Sequence, residues 1–340
     1  MSESVSDDQR RDVRDWIMVC ALTVGLPIAI ALMLFAFLAP SFGSGPKDLP
    51  LAVTGADAAV AHLNQNLQTR SPGAFQISAY LDATAVEAAI ADREVIGGIV
   101  VDPASGTRIY TAAGNGMSYV TLLNTMAAGM RAQGQNVETV EVAPLTADDP
   151  TASGLAALGL PLAFGGIASA AVLILLLTGR PWHAMVGSLA ISLVAGFVVA
   201  AILQYGYGVI EADYVTAALA VAAGIAATSL FVTGLGALIG VRAIGIGAIL
   251  TIFISNPLSG LAAGWWWLPK PWGAIGQLLP IGADGHLLRS IAFFEGRGAG
   301  HACGVLAAWL IVGILLNVWG GLHARTHDTP QPHPREAVSA

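Results

Sequence analysis

The sequence predicts an α-helical polytopic membrane protein with six transmembrane helices, a re-entrant hairpin before the last of them, and an inserted extracytoplasmic α/β domain. Three observations predict it. An apolar run at 16–38, interrupted only by Pro27, is long enough to cross ~30 Å of hydrocarbon as a helix. Ordinary polar sequence follows, to about residue 152. Further apolar stretches then arrive in quick succession, at 155–177, 185–204, 214–240, 243–264 and 303–322. Composition agrees. The chain is 55% hydrophobic and 11% charged, where a soluble domain carries about 25% charged residues. Mean hydropathy is +0.69.

The first run follows Arg10, Arg11 and Arg14 and outlasts a signal-peptide core, with no clear A-x-A cleavage site behind it. It reads as a retained anchor at 16–40. By the positive-inside rule, the segment 1–15 is cytoplasmic. Six spans put Arg180, Arg242, Arg325 and Arg335 on the same side as the N-terminal arginines. The link at 205–213 carries Glu211 and Asp213 but no Lys or Arg, as an outer loop should. The protein is thus expected in the plasma (cytoplasmic) membrane with both termini cytoplasmic, a five-helix membrane domain at 155–322 and a disordered cytoplasmic tail at 323–340.

The insert, 43–152, reads as α/β. Strands are expected at 49–55, 75–82, 95–102, 107–113 and 137–145, and helices at 56–68, 83–93 and 118–133. The order β-α-β-α-β-β-α-β implies a mixed sheet layered with helices.

Several function classes drop out. A P-loop needs lysine after glycine; this chain has only Lys47 and Lys270, neither in that context. Gly97-Gly98 falls within a strand, a poor place for a phosphate loop. The net charge of −7 comes with no basic patch, so nucleic acid is not an expected partner. No nucleophile–base pair or metal-ligand cluster is visible, so neither catalytic residues nor a metal or other cofactor is expected. His62, the one histidine of the insert, reads as a surface residue. Cys20 and Cys303 lie at the starts of spans on opposite faces of the bilayer, so they read as packing residues, not a disulfide. No span carries Asp or Glu near its centre, which argues against a carrier built on intramembrane carboxylates.

The region 256–296 is the most distinctive. Asn256 and Pro257 fall inside an apolar run, where proline frees a carbonyl that Asn256 can help satisfy. Trp265, Trp266, Trp267 and Trp272 suggest an interfacial aromatic cluster. The segments 277–281 and 287–294 are too short to span and suggest a hairpin at about 265–300 that re-enters the outer leaflet. Asp284, His286 and Arg289 are close in sequence. They fit either a polar site facing a substrate cavity or charges that snorkel to the interface, with Asp284 capping a helix.

Four segments carry a family resemblance: REVIGGIVVDP (93–103), VETVEVAPLTADDPTASGLAALGLPLAFGGI (137–167), NPLSG (256–260) and LPKPWGAIGQLLPIGADGHLLRSIAFFEG (268–296). With the span layout, they resemble type-2 ABC exporter permeases and, within these, YhgE/Pip-like (phage infection protein-like) membrane proteins of actinobacteria. The resemblance implies a permease half that dimerises and pairs with a separate ATPase. The link at 178–183, with Arg180 and His183, would sit where such permeases place their ATPase-coupling helix, although it is short for that role. Two functions follow as expectations. One is a subunit that exports an apolar or amphipathic substrate along a path near Asn256, Pro257, Asp284, His286 and Arg289. The other is a non-transporting envelope protein whose outer domain binds a partner or scaffolds a complex.

Overall fold

The computed structural model describes residues 2–327 and divides into two compact units, one ending at Gly43 and the other beginning at Ser44. The first unit is a single helix, α1 (Ser2–Gly43), which contains Pro27 and Pro40. It begins well before the expected start at residue 16. Over Asp12–Pro40 it is long and apolar enough to cross a membrane, and its large side chains, Leu22, Leu26 and Phe35 among them, are exposed.

In the second unit the α/β elements follow the predicted order: β1 (Leu49–Gly55), α2 (Asp57–Arg70), β2 (Phe75–Ala79), α3 (Ala83–Ala91), β3 (Gly98–Asp102), β4 (Gly106–Thr111), α4 (Met117–Ala132) and β5 (Val137–Glu141). They form one mixed sheet in the order β2-β1-β3-β4-β5. Only β3 and β4, joined by a short connection, pair antiparallel. Alternation along the strands builds a core on each face. Leu51, Val53, Ile99 and Ile109 point to one side, where Leu123 and Ala127 of α4 cover them. Ala52, Val100 and Tyr110 point to the other, against Val86 and Ile90 of α3. Gly98 lets α3 approach β3: a Cβ there would lie 2.2 Å from Val86 Cγ1.

The remaining elements form a helical bundle: α5 (Ser153–Ala157), α6 (Gly159–Leu176), α7 (Pro181–Ala201), α8 (Tyr214–Ile239), α9 (Arg242–Ala248), α10 (Asn256–Leu258), α11 (Trp272–Gln277), α12 (Pro280–Phe293) and α13 (Gly300–His327). Among the described residues, five stretches are long and apolar enough to span a membrane: that in α1, Ser153–Leu176, Pro181–Gly206, Tyr214–Ile239 and Gly300–His323. The expected fifth span at 243–264 is instead a shorter apolar helix, Arg242–Leu258, with a π-helical segment at Ile249–Ser255. The chain leaves it at Gly260, whose φ of 71° ends helical geometry. The last helix runs on to His327, past the expected end at 322. The expected disordered tail lies, from 328, outside the described residues.

Helix α8 is the bundle's axis and packs on α6, α7, α12 and α13. Its alanines and glycine let helices approach closely, as in membrane bundles generally. A chain of buried polar groups ties four helices together. Ser169 of α6 donates to Ser229 of α8, and Ser229 to Ser188 of α7, both at 3.0 Å. Asn317 of α13 donates to the Leu230 carbonyl at 2.9 Å.

Two further expectations change. Cys20 and Cys303 are both free and exposed, so neither packs in a core. Trp266 and Trp267 pack against the sheet core beside Tyr119, whose ring meets theirs edge-on at 6.3 and 5.9 Å. Of the four tryptophans, Trp272 is the one that stands exposed. Composition alone does not separate an aromatic that anchors an interface from one that caps a core.

Candidate functional site at the junction of sheet and bundle

The two short helices expected at 277–281 and 287–294 are not formed: one helix, α12 (Pro280–Phe293), covers most of both segments, and α11 (Trp272–Gln277) precedes it. Residues 265–300 are not one continuous helix. Helix α12 starts at Pro280, and the Ile281 N–H donates to Ser255 Oγ at 3.2 Å. Gln277 is buried, donating to the Ser259 carbonyl at 2.9 Å. At the edges, Lys270 pairs with Asp48 and Arg297 with Asp92, both on the surface.

The three polar residues of α12 do not form one cluster, which corrects the sequence reading. A helix turns 100° per residue, so residues two apart point to nearly opposite sides. His286 and Arg289 face the sheet, while Asp284 faces α8. Arg289 is 3% exposed and donates to the Gly114 carbonyl at 2.9 Å and to the Leu261 carbonyl. The His286 ring lies 3.2 Å from the Gly298 carbonyl. Asp284 is fully buried, and neither of its oxygens has a hydrogen-bond partner. It sits against Gly224, where a Cβ would lie 2.3 Å from Asp284 Cγ. Gly224 lies roughly 15 Å along α8 from Tyr214. A carboxyl therefore does reach the middle of the bundle, carried by a short helix and not by a span. Asn256 and Pro257 are half-buried at the end of the π-helical segment, where Asn256 abuts Gly159 of α6.

The partner of α12 is a residue that sequence reasoning left inside a motif, Arg93. It follows α3 with φ at 59°, unusual for a side chain with a Cβ. The residue is 6% exposed, and its guanidinium bridges sheet and bundle. Nε donates to Asn115 Oδ1 at 3.0 Å, and Nη1 to the His286 carbonyl at 2.6 Å and to Ser290 Oγ at 2.8 Å. The Phe294 ring stacks 5.2 Å from it. Burial lowers the Arg93 pKa to about 9, and the Arg289 charge pushes it the same way, so it stays charged at neutral pH.

A groove of about 580 Å³ opens at the sheet end of the bundle, where α5 and α6 meet the end of α7. Ala157, Leu158, Pro161, Val199 and Leu203 make its wall. The π-helical segment Ile202–Gly206 borders it; such segments are frequent at functional sites. Exposed Asp148 and buried Asp149 mark its polar rim. Burial raises the Asp149 pKa, but hydrogen bonds from Ser153 and the Gly154 N–H outweigh it and hold the carboxyl low.

At the other end, Arg180 and His183 are exposed where α6 passes to α7. His183 lies in the first turn of α7, and among the described residues no separate helix lies between α6 and α7. A cleft of about 120 Å³ there includes Arg180, Gly236 and Gly320.

Comparison with known proteins adds no relative: no family model, curated protein or solved structure matches the chain.

Proposed function

We propose that the protein is a permease-like subunit of a type-2 ABC export system that moves an apolar or amphipathic molecule through the plasma membrane. The groove of about 580 Å³ carries this reading. Its size suits one small amphiphile. An apolar wall with carboxylates at one end suits a molecule with an apolar body and a polar head. In this reading the α/β region lies outside the cytoplasm, both termini lie inside, and Arg242–Leu258 completes six crossings as a short one. The Asn256–Pro257 turn and α12 would border the substrate path. Two copies would form the unit, and a separate ATPase would dock near exposed Arg180 and His183. The resemblance described above supports those last two features.

The test is purification of wild type and Ala157→Trp in mild detergent, with mass spectrometry of co-purifying amphiphiles and proteins. Ala157 is exposed on the groove wall, so tryptophan there fills the groove. An amphiphile enriched with wild type and lost from Ala157→Trp is the expected result, together with an ATPase lost on Arg180→Glu. Identical lipid profiles and no ATPase would overturn the reading. Capture of an envelope protein instead would favour the scaffold alternative.

A further inference from the structure

Among the described residues, the junction of sheet and bundle holds two buried positive charges and no negative one. Arg93 and Arg289 are 6% and 3% exposed and line the same small cavity. Every acceptor described above for them is neutral: Asn115 Oδ1, Ser290 Oγ and the carbonyls of His286, Gly114 and Leu261. The three ion pairs among the described residues, Arg14–Asp15, Lys270–Asp48 and Arg297–Asp92, are all at the surface and include neither arginine. Asp284 shares α12 with Arg289 but faces α8, and its oxygens accept from neither guanidinium. Burying charges without a counter-charge is costly, and two like charges side by side add to the cost.

Donors are also in excess. An arginine carries five N–H donors. The bonds above use three from Arg93 and two from Arg289, so donors remain on both. Trp265 lines the same cavity, and its indole N–H is buried with no acceptor. The volume is about 10 Å³. That is the scale of one small bound particle, a water molecule or a monatomic ion. A water molecule would accept hydrogen bonds but would leave the charge uncompensated.

We propose that this cavity is a binding site for a monatomic anion of the chloride class, which accepts from Arg93, Arg289 and the Trp265 indole and fastens the α/β region to α12. The site draws on chain segments far apart in sequence, around Arg93, Trp265 and Arg289. Anion binding therefore stabilises the junction of sheet and bundle as a unit.

The experiment is thermal unfolding of the full chain in mild detergent, titrating sodium chloride against sodium gluconate at constant ionic strength. Wild type is expected to show a saturable rise in Tm with chloride, reproduced by bromide but not by sulfate. Arg93→Gln is expected to lose the rise. Trp265→Phe keeps an aromatic ring and removes the indole N–H donor. It gives a second readout should the arginine variant fail to fold, with half-saturation moved to about tenfold higher chloride. Equal Tm in chloride and gluconate for wild type would overturn the proposal. So would a saturable sulfate effect as large as chloride's, an unchanged response in Arg93→Gln, or an unmoved half-saturation in Trp265→Phe.

Discussion

The two sides of α12 carry opposite solutions to the same problem, a charged side chain inside a membrane protein. Toward the sheet, Arg289 is met by two carbonyls, and Arg93 reaches across to the His286 carbonyl and Ser290. Toward α8, Asp284 meets Gly224 and has no partner. The first side is bonded and holds two parts of the molecule together. The second holds an ionisable group in an apolar seam with Ala220, Ala227, Ala283 and Leu287 near it. A short helix wedged between sheet and bundle thus has one side that fixes position and another whose polar group does no bonding. Substitutions of similar size should have opposite effects on the two sides.

The largest effect is expected on the bonded side. Arg289→Met leaves the Gly114 and Leu261 carbonyls buried without a donor and should cost about 3 kcal/mol, read as a lower Tm in detergent. Next comes the notch in α8. Gly224→Ala places a methyl against Asp284 and should cost about 2 kcal/mol. Much of that loss should return in the double variant with Asp284→Ala, a coupling that a double-mutant cycle measures. Asp284→Asn keeps the shape and removes the ionisable group. It should leave stability unchanged or raise it by about 1 kcal/mol, because no bond is lost. A drop of similar size would show that the carboxylate has a partner and would erase the contrast. The smallest loss belongs to the polar chain that ties α6, α7, α8 and α13. Ser169→Ala removes one bond between helices and should cost about 0.6 kcal/mol, the ordinary value of such a bond in a membrane bundle.

Local pattern made the α/β elements legible. Alternation at Leu51–Val53 and Ile99–Val101 and the helical spacing of Val86 and Ile90 need no knowledge of distant partners, and the element order follows from them. The long apolar helices were equally plain, since hydropathy over a span is a property of one segment. The junction was not legible. Nothing near Arg93 in the sequence points to Ser290, nearly two hundred positions away. The expectation that grouped Asp284 with His286 and Arg289 treated nearness in sequence as nearness in space. Helical rotation separates them. The break in the expected fifth span was half legible: Pro257 and Gly260 were in view, but the π-helical turns before them were not. The tryptophans read as an interfacial cluster, because a sheet to receive Trp266 and Trp267 cannot be inferred from their own neighbourhood.

Arg93 and Arg289 form a lock that holds the α/β region on α12. Hydrogen–deuterium exchange of the full chain in mild detergent, wild type against Arg93→Gln, tests it most directly. The lock predicts that 113–116 and 286–290 lose protection together in the variant, while β1 and β3 keep theirs. Loss confined to the vicinity of residue 93, with 286–290 as protected as in wild type, would contradict it.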